Sequence, residues 1–352
     1  MRYGELYTKY NEMIYNVESK TNLDKNELKL SEKDDILIPC SGETAIDLAT
    51  ASCIQKDQVA IGGDITVIKT NQYAPFITYY LNQKKTEIAK YAQGVSIVHL
   101  YPKDFKVMNI RIPSFNEQKK IIALLEEITK KEQLLESKYQ KYQDFKKYLM
   151  QQIFAQKLRF NFTDEWKVVK LETLIKKGKA GGTPSSTNSN YYNGDIPFLS
   201  IKDMTEQGKY IVKTEKSITE EGLNNSSAWI IPKYSLLYSI YASIGLVAIN
   251  HTKISTSQAI YGIILKDGVS LEYMYYYLTY FKKKVHRYIE TGTQGNLNAK
   301  LLKSFEVLLP SLEEQEMIVN ILSLVDEKIE NTKKEIFKMN EFKTGLLQQM
   351  FI

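Results

Sequence analysis

Cysteine and histidine are scarce in this chain of 352 residues, which has two cysteines and three histidines. Cys40 and Cys53 form no C-x-x-C pair and the histidines are scattered, so neither a zinc site of the usual spacing nor a nucleophile site is indicated. Because no signal-like segment follows Met1, we expect a reduced, cytoplasmic protein.

Long apolar runs and catalytic motifs are missing as well. The most apolar stretch, WIIPKYSLLYSIYASIGLVAI, is interrupted by Pro232 and Lys233, which argues against a membrane span. The sequence contains no G-x-G-x-x-G, no G-x-x-x-x-G-K-[ST] and no Asn/Asp-Pro-Pro-aromatic tetrad of amino-methyltransferases. These absences favour a chain without catalytic activity of its own.

The composition is that of an ordinary folded protein, with 43% hydrophobic and 25% charged residues. The length is sufficient for two globular domains. A net charge of +6 suits a polyanionic partner but does not identify one.

One phrase of the sequence occurs twice. RIPSFNEQKKIIALLEEI, at 111–128, returns 197 residues later as LLPSLEEQEMIVNILSLV, at 308–325. The same shift places QQIF of 151–154 on QQMF of 348–351 without a gap. An unbroken register of this length predicts two long, continuous helices of equal length.

Each long helix is predicted to begin with a cap and to carry an apolar seam. Ser114 or Ser311 can cap it, with Glu117 or Glu314 completing a capping box. Apolar residues then recur every three or four positions, as in a coiled coil. The seam residues are Ile121, Leu125, Ile128, Leu135, Tyr139, Tyr142, Leu149 and Ile153 in the first copy, and Ile318, Leu322, Val325, Ile329, Ile336, Met339, Leu346 and Met350 in the second.

The polar interruptions of the seam favour an antiparallel pair. Lys146 and Lys343 occupy the same position of the repeat, and an antiparallel arrangement places them at different heights. At about 1.5 Å per residue, 40 residues make a rod of roughly 60 Å, which suits a spacer. The alternative is a pair of ordinary amphipathic helices in one core.

The remaining sequence indicates two mixed α and β regions with similar frames. We predict a first domain over 1–109, a spacer helix over 114–158, a second domain over 161–309 and a second spacer helix over 311–352. At the start of the chain the alignment places Arg2 on Ser200, a shift of 198 residues. The first domain is therefore expected to lack a counterpart of the segment that opens the second.

This repeated domain and helix plan resembles the specificity subunits of type I restriction–modification systems. The resemblance is carried by GGTPSS and YYNGDIPFLSIKDM, the TGTQGNLN loop, IRIPSFNEQKKIIALL, VLLPSLEEQEMIVNIL and the helix ends YLMQQIF and LLQQMF. It implies an α+β fold with a pseudo-two-fold internal repeat. Two globular target-recognition domains would be separated by two long helices that pack as an antiparallel coiled coil.

The resemblance also implies a function. Each domain would read one half of a bipartite target in double-stranded DNA, and the helices would set the half-site spacing. Roughly 60 Å corresponds to about 17 or 18 base pairs at 3.4 Å each, an upper bound on the span. Methyltransferase (modification) subunits would dock on the helices, and restriction/translocase subunits can join. The chain itself would bind no cofactor, because S-adenosylmethionine is expected on the partners.

Contacts to DNA are expected from loops rich in glycine, hydroxyl and amide groups, since glycine permits close approach and Asn or Gln can bind a base in bidentate fashion. In the second domain the candidates are Gly181, Gly182, Thr183, Ser185, Tyr191, Tyr192, Lys202, Ser243, Thr293, Gln294, Gly295, Asn296 and Asn298, with Lys282, Lys283, Lys284 and Arg287 for phosphates. In the first domain they are Arg2, Tyr3, Ser41, Thr44, Gln93 and Ser96. For each residue the alternative is a polar loop position without a contact.

Two other functions remain open at this point. A protein-interaction scaffold could use the same helices while its basic loops never meet DNA. A recombination-derived subunit with an abbreviated first domain would read only one half-site.

Overall fold

The computed structural model describes residues 1–94, 97–105, 109–241, 243–287 and 297–351. The chain divides into two compact units, one formed by Met1–Lys138 and Thr332–Ile352, the other by Tyr139–Asn331. Each of the two long helices therefore contributes one part of its length to each unit.

The first unit contains a four-stranded sheet in the order β1-β5-β3-β7, against which helix α3 packs through Phe76, Ile77 and Tyr80. Its short strands are rich in β-branched residues, which suit a pleated and half-buried surface. The elements before the first long helix are α1 (Tyr3–Thr8), β1 (Met13–Ile14), β2 (Lys29–Leu30), β3 (Ile36–Pro39), β4 (Ser41–Gly42), α2 (Ala45–Leu48), β5 (Ser52–Ile54), β6 (Ala60–Ile61), β7 (Ile65–Ile68), α3 (Ala74–Gln83), α4 (Lys85–Ile88), β8 (Val98–His99) and α5 (Pro102–Phe105).

The second unit contains a five-stranded sheet in the order β10-β17-β14-β15-β12, covered by α10. Ser270 caps α10, because its side chain accepts a hydrogen bond from the amide of Tyr273. The elements are β9 (Lys167–Lys170), α7 (Leu171–Leu174), β10 (Ile175–Ala180), β11 (Tyr192–Leu199), α8 (Ile201–Gln207), β12 (Tyr210–Ile211), β13 (Lys216–Ile218), α9 (Glu220–Asn224), β14 (Leu236–Ser239), β15 (Val247–Asn250), β16 (Ser255–Thr256), β17 (Ile260–Leu265), α10 (Leu271–Phe281), α11 (Ala299–Lys303) and β18 (Glu306–Leu309).

The two sheets repeat one design. In both, a parallel pair (β1 with β5, β12 with β15) is followed by two antiparallel pairings. Strand β10, which pairs with β17, has no counterpart beside β7 in the described part of the first unit. The sheet of the second unit is therefore one strand wider, as the 197-residue shift predicts.

The long helices are α6 (Phe115–Phe154) and α12 (Leu312–Met350). Every predicted seam residue is buried or half-buried. In the first unit Glu132 contacts Lys343 and Lys138 contacts Glu335, so the two long helices run antiparallel there. The predicted α+β fold, with a repeated domain and an antiparallel helix pair, is confirmed.

The two seam lysines are neutralised on different partners. In the first unit Lys343 Nζ lies 2.7 Å from Glu132 Oε2, and in the second Lys146 Nζ lies 2.5 Å from Asp326 Oδ1. A lysine that is partly removed from water in such a seam is stabilised by a carboxylate beside it. In each unit the seam lysine of one long helix is thus paired with a carboxylate of the other long helix.

The glutamine of the repeated Pro-Ser phrase ties each long helix to the helix that covers the sheet. Gln118 Oε1 accepts a hydrogen bond from the amide of Tyr73 at 3.0 Å, and Gln118 Nε2 donates to the Pro113 carbonyl at 2.9 Å. Gln315 makes the equivalent pair, from the amide of Ser270 and to the Pro310 carbonyl. Both glutamines are fully buried, so these bonds are formed away from water.

The repeated phenylalanine at the other end of each long helix packs on the same kind of surface. Phe154 lies 5.4 Å from the ring of Tyr277 on α10, and Phe351 lies 5.1 Å from the ring of Phe76 on α3. Each sheet-covering helix is therefore held by the start of one long helix and by the end of the other.

The predicted capping box forms only in part. Ser114 Oγ and Ser311 Oγ accept hydrogen bonds from the amides of Glu117 and Glu314, as expected. The predicted acceptance of the Ser311 amide by the Glu314 carboxylate is wrong. That carboxylate accepts instead from Arg159, 2.7 Å away, and from Trp166 Nε1 at 2.9 Å. Glu314 is buried, whereas Glu117 is exposed.

Replacing either buried glutamine by alanine is expected to destabilise the fold. Gln118→Ala leaves the amide of Tyr73 without its acceptor, and Gln315→Ala does the same to Ser270. A buried unsatisfied group costs about 1–3 kcal/mol, which urea unfolding followed by circular dichroism can measure. Gln140→Ala, on the exposed face of α6, is the control and should change stability by about 0.5 kcal/mol or less.

The two equivalent glutamates should respond very differently to the same change. Glu314→Ala removes a buried carboxylate from Arg159 and Trp166 and should lower the free energy of unfolding by about 3 kcal/mol or more. Glu117→Ala, at an exposed position, should have an effect near zero. Equal losses in urea unfolding of the two variants would contradict this assignment.

Candidate nucleic-acid interface

Several of the predicted contact loops of the second unit meet at one end of its five-stranded sheet. The strand register places the end of β10, the start of β17, the end of β14 and the start of β15 there. The loop that begins at Gly181 and the turn that contains Ser243 leave the sheet at this end. Leu297, which follows the predicted TGTQGN loop, also reaches it, because its amide donates to the Ile240 carbonyl at 3.1 Å.

Gly181 and Gly182 are buried by their own chain. The amide of Gly181 donates to the Ile260 carbonyl, and a Cβ on Gly181 would overlap the carbonyl of Thr256. A Cβ on Gly182 would overlap Ser227. The close approach that these glycines permit is therefore an approach to neighbouring protein backbone, and a DNA contact by them stays a prediction.

The rest of this loop presents hydroxyl groups that already have partners. Thr183 Oγ1 donates to Gln258 Oε1, and Ser185 Oγ and Thr187 Oγ1 share a hydrogen bond at 2.8 Å. Tyr192 is half-buried and donates to the Pro184 carbonyl at 2.6 Å, and Tyr191 is half-buried beside it. Thr183 and Ser185 are exposed, so these side chains reach solvent from an ordered loop.

Ser243 and Asn298 also lie in turns. Ser243 is exposed with φ of 52°, and its carbonyl accepts from Ser239 Oγ at 2.8 Å. The side chain of Lys282 lies against Gly245 in the same turn. Asn298 is exposed, and its side-chain oxygen caps α11 by accepting from the amide of Leu301 at 2.9 Å.

Lys202 stands apart from this group of loops, in the first turn of α8. It is exposed and pairs with Glu215 at 2.8 Å, and the hydrogen bond to Glu215 raises the pKa of Lys202. Beside it, burial of Asp203 is outweighed by hydrogen bonds from Ser200, which hold the pKa of Asp203 below its usual value. Lys202 is therefore a positive charge that two neighbouring carboxylates partly neutralise.

In the first unit three of the candidates surround the short β4–β8 ribbon, formed by the antiparallel pair of β4 and β8. Ser41 on β4 is buried and hydrogen-bonded to His99 Nδ1 at 3.1 Å. Gln93 is exposed and exchanges two backbone hydrogen bonds with His99. Thr44 is exposed and caps α2, which follows β4. His99 was not among the predicted residues, and no spacing in the sequence marks it.

Arg2 and Tyr3 are exposed at the start of α1, which approaches the ribbon through Tyr7 beside Gly42. The backbone amide of Arg2 donates a hydrogen bond to Glu5 Oε2 at 2.9 Å. Five further candidates, Ser96, Thr293, Gln294, Gly295 and Asn296, lie outside the described residues, and their role remains a prediction.

A basic groove, formed between the end of α6 and the end of α10, was not predicted as such. It is lined by Gln151, Gln152, Ala155, Lys157, Tyr280, Lys283 and Lys284. Lys284 Nζ lies 5.3 Å above the ring of Tyr280. At the equivalent positions of the first unit, Thr86 and Glu87 replace Lys283 and Lys284.

Within the described ranges, no group of three or more His, Cys, Asp or Glu side chains could hold a metal ion. None of the helices in those ranges has a stretch long and apolar enough to cross a bilayer.

Comparison with known proteins places the chain. Residues 3–142 and 163–339 each match the family described as type I restriction modification DNA specificity domain. The MjaIX specificity subunit of Methanocaldococcus jannaschii is 35% identical over 193 residues, 53% of this chain and 44% of that protein. The HindI specificity subunit of Haemophilus influenzae is 29% identical over 175 residues, 48% of this chain and 38% of that protein. The matched stretch is thus less than half the length of either relative.

Two solved structures share the fold. The S subunit of a type I restriction–modification system from M. genitalium aligns with 99% of this chain and 91% of its own, with a TM-score of 0.61 and 16% identity. The HsdS subunit from Thermoanaerobacter tengcongensis aligns with 92% of this chain and 81% of its own, with a TM-score of 0.51 and 16% identity. Because the family match occurs once in each half and covers most of the sequence, this chain belongs to the family of type I restriction modification DNA specificity domains.

Proposed function

We propose that this chain is the non-catalytic subunit that recognises DNA for a type I restriction–modification complex in the cytoplasm. Each unit reads one half of a bipartite duplex target. The observation that carries the proposal is the duplication itself: two family matches, each with a sheet whose covering helix is tied to the long helices by the same glutamine and phenylalanine.

The loops support two different readings of DNA by the two units. Four strands of each sheet are paired in the same way, while the loop that begins at Gly181 in the second unit has no counterpart among the described residues of the first. Side chains on such loops can contact base edges, and lysine and hydroxyl groups can hold phosphates. A constant frame with variable loops is suited to reading two different half-sites.

The partners follow from the same proposal. Methyltransferase subunits that carry S-adenosylmethionine dock on the long helices, and restriction/translocase subunits complete the complex. The outer faces of these helices offer large apolar side chains, among them Phe145 and Phe342, which occupy equivalent positions and are 48% and 55% exposed. Contiguous exposed apolar patches mark protein-binding surfaces, and Phe145 has the exposed Tyr148 beside it one turn later.

Mixing experiments test the assignment. With the modification subunit and S-adenosylmethionine, the chain should direct adenine methylation to one bipartite motif, detected by sequencing the methylated DNA. The chain alone should transfer no methyl group. A motif with a single specified half would favour the one-half-site alternative, and methylation independent of this chain would overturn the proposal.

The basic groove should contribute by neutralising phosphates. The double substitution Lys283→Gln and Lys284→Gln should weaken specific and non-specific binding alike. It should also reduce the slope of log K against log salt by about 0.9 for each phosphate that the variant no longer neutralises. Gel shifts at several salt concentrations measure this slope. The exposed pair Lys333 and Lys334, substituted in the same way, is the control, and an equal effect there would exclude a specific role for the groove.

A further inference from the structure

A cavity of about 340 Å³ opens in the first unit, beside the edge strand β1 and the first half of α6. Three carboxylates line this cavity, that of Glu12 just before β1 and those of Glu126 and Glu127 on the helix. None of the three makes an ion pair with a described residue. The lining also includes Lys130, which is exposed, so the carboxylates are in excess. This cavity is named the acidic pocket.

Two tyrosines complete the acidic pocket. Tyr15 donates a hydrogen bond to Glu126 Oε1 at 3.2 Å, and burial together with that carboxylate raises the pKa of Tyr15 to about 12. Tyr79, on the sheet-covering helix α3, is 2% exposed and lines the pocket beside Thr129. Thr129 Oγ1 is shielded from solvent and has no hydrogen-bond partner of normal geometry among the described residues. The pocket therefore combines negative charge, aromatic surface and an unused hydroxyl group.

Glu12 occupies the place that a lysine takes in the second unit. The carbonyl of Lys209 accepts a hydrogen bond from the amide of Ile249 on β15. The carbonyl of Glu12 accepts the equivalent bond from the amide of Cys53 on β5. Each of these residues lies directly before the edge strand that forms the parallel pair of its sheet. The two side chains therefore start from equivalent backbone positions with opposite charge.

In the second unit the ammonium group of Lys209 is bound by the tyrosine that corresponds to Tyr79. Lys209 Nζ lies 2.9 Å from Tyr276 Oη and 4.4 Å from the centre of the same ring. It also lies 2.5 Å from Glu272 Oε2, and Tyr276 in turn donates to Asp326 Oδ2 at 2.6 Å. A tyrosine at this position can thus bind an ammonium group through its hydroxyl and its ring when carboxylates are close by.

We propose that the acidic pocket binds a lysine side chain of the modification subunit, an inference that rests on the proposed function. In the second unit the chain supplies the ammonium group itself, whereas in the first the carboxylates and Tyr79 are present and the lysine is replaced by Glu12. Leu134, which is 64% exposed, follows Lys130 by one turn of α6, so apolar surface for the same partner adjoins the pocket. An ion pair formed in a partly enclosed site fixes the orientation in which two subunits meet.

Charge reversal at Glu12 tests the site. Glu12→Lys gives the first unit a lysine of its own, as Lys209 does in the second, and should weaken binding of the modification subunit at least tenfold in isothermal titration calorimetry. The melting temperature should not fall, because the new lysine finds carboxylates beside it. Glu27→Lys, the same reversal at an exposed position of the same unit, is the control and should leave the affinity unchanged. The double change Glu126→Gln and Glu127→Gln keeps the shape of the pocket and should also weaken binding severalfold.

Carbodiimide coupling identifies the partner's side chain, because it joins a carboxylate to an amine in contact with it. Mass spectrometry of the digested complex should find Glu12, Glu126 or Glu127 linked to a lysine of the modification subunit. The proposal is overturned if none of the three is coupled, or if Glu27→Lys weakens binding as much as Glu12→Lys does. Tight binding that ignores Glu12→Lys overturns the pocket alone, whereas a parent chain that does not bind the modification subunit overturns the proposed function as well.

Discussion

The hydrogen bonds of Gln118 and Gln315 are the constraint on which the repeated architecture depends. Each glutamine binds the amide of the N-cap residue just before a sheet-covering helix and the carbonyl of the proline that precedes a long helix. The direction of the long helix is therefore fixed relative to the sheet at its very first turn. Since both copies use the same atoms, the two junctions have the same local geometry, and the repeat extends from the sequence to the packing.

The helices could be predicted because their signals are local. A cap, a three-and-four spacing and a gap-free register are all visible in the sequence, and the seam residues that they identify are buried or half-buried. The role of Glu314 could not be predicted in this way. A capping box is the local expectation for its position, but Trp166 and Arg159, about 150 residues earlier in the chain, provide stronger partners for a carboxylate that is removed from water.

Among the candidate contact residues, too, local signals could be predicted and contacts between distant residues could not. Glycine in GGTPSS correctly indicates a close approach, but the sequence does not say to what, and the structure places the neighbouring backbone of Thr256 and Ser227 there. His99 and Gln258 were missed because their contacts, a β pairing with Ser41 and a side-chain hydrogen bond with Thr183, join segments that are distant in the sequence. Base recognition depends on side chains whose positions are set by such long-range contacts, so a target sequence cannot be derived from composition or spacing.

The packing of Phe351 on α3 has a consequence for biosynthesis. The second unit consists of one uninterrupted stretch, Tyr139 to Asn331, whereas the first also requires residues from 332 onwards. On the ribosome, the N-terminal sheet therefore waits with the apolar side of Phe76 and Tyr80 uncovered until the C-terminal part of α12 emerges. We therefore expect the reverse of the usual order, in which the N-terminal domain matures first. The unit made first is completed last.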